Sequence, residues 1–126
     1  MNVNFLVGKT LGDIKVSGNE EILFVLDNGD EYVMYHEQDC CERVTIEDIC
    51  GDVYNLVGSE ILMAEECVSS EPMPNQIVDE FDNSFTWTFY KFATNKGYVT
   101  IRWYGESNGY YSESVSFSAT KDAYRY

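Results

Sequence analysis

The most reactive side chains of this sequence lie in one polar segment, residues 36–41, which holds the single histidine of the chain. His36, Glu37, Asp39, Cys40 and Cys41 are all residue types that ligate transition metals. Adjacent residues of a strand point to opposite faces, so the two cysteines would rarely converge on one ion, and no second histidine completes a site. We therefore expect no metal site. A thiol or metal-assisted hydrolase built on His36 and Cys40 is the lowest-ranked alternative.

Carboxylate pairs and nucleotide-binding loops give no stronger catalytic signal. Glu47-Asp48 and Glu65-Glu66 could act as acid and base, but 22 acidic residues make such neighbours inevitable by chance. The chain contains neither the G-x-x-x-x-G-K-[ST] loop nor the G-x-G-x-x-G fingerprint. We predict a protein that is not an enzyme, with no catalytic residue and no cofactor.

The C-terminal third contains a strong hairpin signal. Residues 85–92 and 98–104 alternate around a turn at 94–97. Period two places one set of side chains of the second strand on one face, namely Val99, Ile101 and Trp103. The other face takes Tyr98, Thr100, Arg102 and Tyr104.

Aromatic rings and an arginine therefore share one face of this hairpin. A four-residue turn places Phe89 opposite Arg102 and Trp87 opposite Tyr104. Rings beside a guanidinium can sandwich a purine, with stacking worth roughly 1 to 3 kcal/mol per base, and arginine also pairs phosphate. The alternative is that these rings fill a core or a subunit interface. The predicted ligand-binding residues are Trp87, Phe89, Lys91, Asn95, Arg102, Tyr104, Asn108 and Tyr110.

The net charge of −14 restricts the possible partners, because such a field repels phosphate backbones and anionic membranes. The charge is uneven: residues 1–90 carry 19 acids and three bases (−16), whereas residues 91–126 carry three acids and five bases (+2). We expect no long nucleic acid and no membrane as partner. A small anion could be bound in the C-terminal third by Lys91, Lys96, Arg102, Lys121 and Arg125.

Length and turn chemistry predict a single domain over residues 1–126, of a β-rich α+β class with an antiparallel sheet of hairpins and one or two short helices. Asn28-Gly29 predicts a hairpin between residues 21–26 and 31–35. Asn108-Gly109 predicts a second turn, which returns residues 110–117 along the sheet as the third strand of a meander.

The other elements carry weaker signals. Residues 5–11 fit a helical turn or a strand, residues 44–49 a strand or turn, and residues 61–68 a strand that could also be helical. Residues 52–58 fit a short helix capped by Asp52 and ended by Gly58. Residues 69–80, with two prolines, fit a flexible loop.

The spacing of the four cysteines matches neither a zinc knuckle nor a disulfide scaffold, so a reduced, cytosolic protein is expected. The N-terminus lacks the features of a signal peptide, and no stretch reaches the 18 to 20 apolar residues that span a bilayer. The protein is expected to stay inside the cell that makes it.

Four stretches of the sequence, at 35–42, 46–52, 85–94 and 102–112, resemble a family of small phage proteins. Some members of that family are anti-Thoeris sponges, which bind the cyclic ADP-ribose isomer made by bacterial TIR-domain enzymes. The resemblance implies sequestration without cleavage in the cytoplasm of the bacterial host. It also implies a homodimer, possibly a hexamer, with pockets between subunits, and separate sites for cyclic oligonucleotides.

An alternative from another class is an acidic protein that inhibits a host protein directly, as a DNA mimic or as a plug for a basic groove. The net charge of −14 supports this alternative. Salt distinguishes the two, because binding of a mimic to a basic partner weakens with ionic strength far more than enclosure of a stacked nucleotide.

Overall fold

The structure is a computed structural model that describes residues 1–71 and 84–123. Its strands form two four-stranded antiparallel sheets, sheet I in the order β1-β2-β3-β8 and sheet II in the order β4-β7-β6-β5. The strands are β1 (Leu11–Ser17), β2 (Glu21–Leu26), β3 (Glu31–Tyr35), β4 (Arg43–Cys50), β5 (Met63–Ser69), β6 (Ser84–Thr94), β7 (Gly97–Ser107) and β8 (Ser116–Ala119). The β-rich antiparallel prediction is confirmed. Most of the predicted loop at 69–80, and Arg125, lie outside the described residues.

The predicted Asn28-Gly29 hairpin joins β2 to β3. Gly29 has a φ of 94°, in the left-handed region that glycine enters without the usual steric penalty. Alternate side chains of β2 are buried, namely Ile22, Phe24 and Leu26. The turn chemistry and the period-two pattern therefore agree, as they do in a well-specified hairpin.

The helical part consists of single 3₁₀ turns, at Val3–Leu6, Val53–Leu56 and Thr120–Asp122, and the described residues contain no α-helix. The carboxylate of Asp52 accepts a hydrogen bond of 2.9 Å from the backbone N–H of Tyr54, as the predicted cap requires. No described helix has the length and apolar character needed to cross a membrane. The ambiguous segment 5–11 divides between the first 3₁₀ turn and the start of β1.

The β6–β7 hairpin has the predicted register. Phe89 lies opposite Arg102 and Trp87 opposite Tyr104, and Thr94 pairs with Gly97 to close the turn. The predicted strands at 44–49 and 61–68 are present as β4 and β5, which flank this hairpin on its two sides. The hairpin is thus the centre of sheet II.

The predicted three-strand meander is wrong. The chain turns at Asn108-Gly109, where Gly109 has a φ of 89°, but residues 108–115 form no strand and β8 pairs with β3 of sheet I. The reason is that β7 already has β4 on one edge and β6 on the other, so no edge is left for a third partner. The chain after β7 therefore crosses to the other sheet.

One continuous hydrophobic cluster joins the two sheets. Trp103 of β7 is fully buried in it, and its indole Nε1–H donates to the sulfur of Met34 in sheet I at 3.3 Å. The other members with no exposed surface are Leu6, Leu11, Ile22, Phe24, Met34, Leu56, Ile61, Tyr90, Phe92, Val99 and Ile101. Sheet II therefore turns one face to this core and the other away from it.

Gly51, between β4 and the second 3₁₀ turn, is expected to tolerate no side chain. Its φ is 98°, and a Cβ would lie 2.5 Å from the backbone oxygen of Tyr98. Gly51→Ala should lower the free energy of unfolding by about 2 kcal/mol or more, since the left-handed conformation alone costs an L-residue roughly 1 to 2 kcal/mol. Urea unfolding followed by circular dichroism measures the change.

Gly18→Ala is the matched control for that substitution. Gly18 has a φ of 57°, but a Cβ there would meet nothing within 4 Å, so it reports the conformational cost alone. Equal losses in the two variants would contradict the steric contact assigned to Gly51.

Candidate functional site

Five side chains of β6 and β7 form a surface on the outer side of sheet II, here called the aromatic face: Phe85, Trp87, Phe89, Arg102 and Tyr104. They are presented there because each strand alternates, with Tyr90 and Ile101 directed into the core. Four of the predicted residues thus lie together, as the spacing predicts.

The rings of the aromatic face pack against each other. Trp87 and Tyr104 have ring centroids 4.6 Å apart, and Phe85 stacks on Tyr104 at 6.4 Å with an interplanar angle of 22°. Trp87 is only 7% exposed, whereas Phe89 and Tyr104 are partly exposed. Trp87 is therefore the buried member of the cluster, and a ligand can reach the rings of Phe89 and Tyr104.

Arg102 is held in place by two carboxylates of β4. Its Nε–H donates to Glu47 at 2.6 Å, a second guanidinium nitrogen contacts the same carboxylate, and Asp48 lies at 3.8 Å. A register irregularity in β4 between Ile46 and Asp48 brings both acids to this edge. The guanidinium carbon lies 5.4 Å from the centroid of Trp87, within cation–π range. Its charge is largely neutralised by these two carboxylates.

Lys91 supplies a second positive charge on the same side of the sheet. It is exposed and lies across the ladder from Thr100 in β7 and from Glu65 in β5. Within residues 1–71 and 84–123 it forms no salt bridge. Its ammonium is therefore more available to an anion than the guanidinium of Arg102.

The remaining predicted residues lie at the two ends of the hairpin. Asn95 is exposed in the β6–β7 turn, and Asn108 follows the far end of β7, about 35 Å away along the strands at 3.4 Å per residue. The side chain of Asn108 accepts from the backbone N–H of Tyr110, so it shapes its own turn. Tyr110 is 85% exposed. One small ligand cannot contact both ends.

The side chains of the polar segment, residues 36–41, are arranged around the next residue, Glu42. The sequence alone did not single out Glu42. Glu42 is 4% exposed. One carboxylate oxygen accepts from Cys40 N–H at 2.9 Å and Gln38 Nε2 at 3.2 Å, and the other from His36 Nε2 at 2.8 Å and Asp39 N–H at 3.0 Å. Burial by itself raises the pKa of Glu42, but these hydrogen bonds outweigh it and lower that pKa from 4.5 to about 2. The segment is folded around a buried anion.

His36 and the two adjacent cysteines also differ from expectation. The second ring nitrogen of His36 lies 2.6 Å from the carbonyl oxygen of Ser114, so both nitrogens have partners. Cys40 and Cys41 are joined by a disulfide, where reduced thiols on opposite faces were expected, because residues 36–42 form a loop and not a strand. Cys50 and Cys67 are free and exposed. No group of three or more His, Cys, Asp or Glu side chains in the described part of the chain could hold a metal ion.

Two cavities lined by described residues lie away from the aromatic face. A cleft of about 510 Å³ adjoins Glu42 and Arg43, and a cavity of about 390 Å³ adjoins Thr88 and Glu113. Neither is lined by a residue of the aromatic face. A second surface would have to cover the aromatic face to enclose a ligand there.

The fold and this surface define a small two-sheet antiparallel β domain that presents rings and a guanidinium on one sheet. The chain belongs to the family described as a domain of unknown function, DUF7448, whose model matches residues 4–117. No curated protein and no solved structure matches the chain. The match includes every strand from β1 to β7 and therefore the whole aromatic face.

Proposed function

We propose that this protein binds a nucleotide second messenger, a cyclic ADP-ribose isomer, on the aromatic face and sequesters it without cleavage. The observation that carries the proposal is the placement of Phe89 opposite Arg102, beside Trp87, on the solvent side of sheet II. Two flat groups next to each other on a rigid hairpin suit a purine, because stacking needs planes that are already oriented.

The two cations of this face have different roles in the proposal. Glu47 and Asp48 hold the guanidinium of Arg102, so Arg102 supplies a stacking plane and little net charge. Lys91 supplies the charge that pairs the pyrophosphate. An adenine on Phe89 then leaves the phosphates near Lys91, two residues along the same strand and on the same side of the sheet.

A homodimer, which can assemble further into a hexamer, completes the proposed site. The aromatic face of one chain is partly exposed, and a slow-release complex needs a ligand enclosed on both sides. A second subunit would supply that cover. In this proposal the protein is a phage product in the cytoplasm of its bacterial host, where it blocks Thoeris signalling, and cyclic oligonucleotides bind at separate sites.

The test is isothermal titration of the protein with cyclic ADP-ribose isomers. Wild type should bind at micromolar concentration or below, and Phe89→Ala should weaken binding roughly 5- to 150-fold, the loss that corresponds to one stacked base. Tyr54→Ala is the matched control, since Tyr54 is an aromatic residue that is 62% exposed and lies in the second 3₁₀ turn, outside sheet II.

Two results would reject the proposal. One is the absence of heat with every isomer at protein concentrations well above micromolar. The other is a ligand released in altered form when the complex is heated, since a sponge returns its ligand intact. A complex with a basic host protein that dissociates steeply with salt would instead favour the acidic inhibitor.

A further inference from the structure

The cavity of about 390 Å³ is lined by residues of β5 and β6 and by the segment that follows β7. One wall is formed by the core-side positions of those strands, including Glu66 and Thr88, and the other by residues 109–115. Val68, also in the wall, is 62% exposed. The volume suits a small organic molecule.

Glu113 supplies a fixed carboxylate to this cavity. It is 9% exposed, and its oxygens accept from the hydroxyls of Thr86 at 2.7 Å and Ser107 at 2.5 Å. Its backbone packs on Gly105, where a Cβ would lie 2.9 Å from the Glu113 carbonyl oxygen. Each carboxylate oxygen has a second lone pair, so Glu113 can accept further hydrogen bonds from a ligand.

Glu66 supplies a second carboxylate on the opposite wall. The hydroxyl of Tyr90 donates to it at 2.7 Å. Burial and this hydrogen bond raise the pKa of Tyr90 well above its usual range, so the phenol keeps its proton and holds the carboxylate. One oxygen of Glu66 is thereby engaged, and the other is available.

Thr88 is the observation that points to a ligand. It is only 3% exposed and lines the cavity, yet its hydroxyl forms no hydrogen bond within residues 1–71 and 84–123. The hydroxyl of Thr88 therefore faces the cavity and is free to donate to, or accept from, a molecule bound there. Its position between Glu66 and Glu113 sets the chemistry of that molecule.

We propose that this cavity is a binding site for a small organic cation that carries a protonated amine. Two carboxylates and several hydroxyls accept its hydrogen bonds, and Tyr111 offers a ring for cation–π contact. The described residues of the lining include no Lys, Arg or His, so an anion such as the nucleotide proposed for the aromatic face is disfavoured here. The net charge of −14 draws cations to the protein.

The probe is putrescine, with 1,4-butanediol as the neutral molecule of the same length. Isothermal titration should show binding of putrescine and none of the diol. Glu66→Gln should weaken putrescine binding about tenfold or more, because it removes a charge-assisted hydrogen bond, and Thr88→Val about fivefold, because it removes a neutral one. Glu66→Gln keeps an acceptor for Tyr90, and Thr88→Val keeps the shape of the side chain.

Glu65→Gln is the matched control for Glu66→Gln. It makes the same change in net charge one residue earlier in β5, on the opposite side of the sheet. Unchanged putrescine affinity in Glu65→Gln supports a defined site. The site is rejected if putrescine does not bind, if Glu65→Gln weakens binding as much as Glu66→Gln, if Thr88→Val has no effect, or if the diol binds equally well.

Discussion

Replacing Glu42 with glutamine should lower the free energy of unfolding at pH 7 by about 3 kcal/mol. The pKa of Glu42 is lowered from 4.5 to about 2 by folding, and each pKa unit corresponds to about 1.4 kcal/mol. Both of its oxygens accept two hydrogen bonds, so either orientation of a glutamine amide points its NH₂ group at two donors. Urea unfolding of the two proteins measures the difference.

The pH dependence of the stability difference between wild type and Glu42→Gln tests whether the buried carboxylate causes it. The folded protein holds the proton of Glu42 less tightly than the unfolded chain, so the stabilisation is complete above pH 4.5 and is lost as the pH falls towards about 2. The stability gap between wild type and Glu42→Gln should therefore narrow over that range. The other carboxylates titrate in both proteins and cancel in the comparison.

Glu31→Gln is the control, since Glu31 is exposed and its loss removes one carboxylate from the turn end of β3. It should change the free energy of unfolding by less than about 0.5 kcal/mol. A gap between wild type and Glu42→Gln that stays constant from pH 5 to pH 2 would contradict the role assigned to the buried anion.

Truncation of Trp103 to alanine should destabilise the protein by about 3 to 5 kcal/mol, the usual loss for a fully buried tryptophan. Trp103 has no exposed surface, and its N–H reaches Met34 across the two sheets. Its removal leaves a cavity where sheet I and sheet II meet. The free energy of unfolding of a small domain is only about 5 to 15 kcal/mol in total, so the variant should approach global unfolding at 37 °C. Chemical unfolding followed by far-ultraviolet circular dichroism measures the loss.

Trp103→Phe separates packing from the hydrogen bond. Phenylalanine keeps most of the apolar contact and loses the N–H donor to sulfur, which is a weak acceptor. Trp103→Phe should therefore lower the free energy of unfolding by much less than Trp103→Ala does. An equal loss of unfolding free energy in the two variants, or a loss below about 1 kcal/mol in Trp103→Ala, would show that Trp103 does not join the two sheets.

The local parts of the fold are readable from the sequence. Asn28-Gly29 and the four-residue turn after Thr94 define two hairpins, and their register follows from turn length and alternation. The strand β1 is harder to predict, because only Leu11 and Ile14 of its seven residues are buried. A strand paired on one edge, with few inward side chains, leaves almost no periodic signal.

The candidate site was predictable in its centre and not in its surroundings. The shared face of Trp87, Phe89, Arg102 and Tyr104 follows from the hairpin register alone. The pairing of Arg102 with Glu47 and Asp48 joins residues about 55 apart in sequence and depends on an irregularity in β4. It neutralises much of the charge of an arginine for which the sequence suggests both stacking on a purine and pairing with phosphate.

The sequence by itself determined which side chains share each face of the hairpins, because alternation and turn chemistry act over a few neighbouring residues. Only the tertiary structure decided where the chain goes after Asn108-Gly109, and that Glu42 is buried as an anion. Both outcomes depend on contacts between residues distant in sequence. β7 has a partner strand on each edge, and His36, which donates to Glu42, also contacts the carbonyl oxygen of Ser114, 78 residues away. Such choices minimise the free energy of the whole molecule, and no local pattern encodes them.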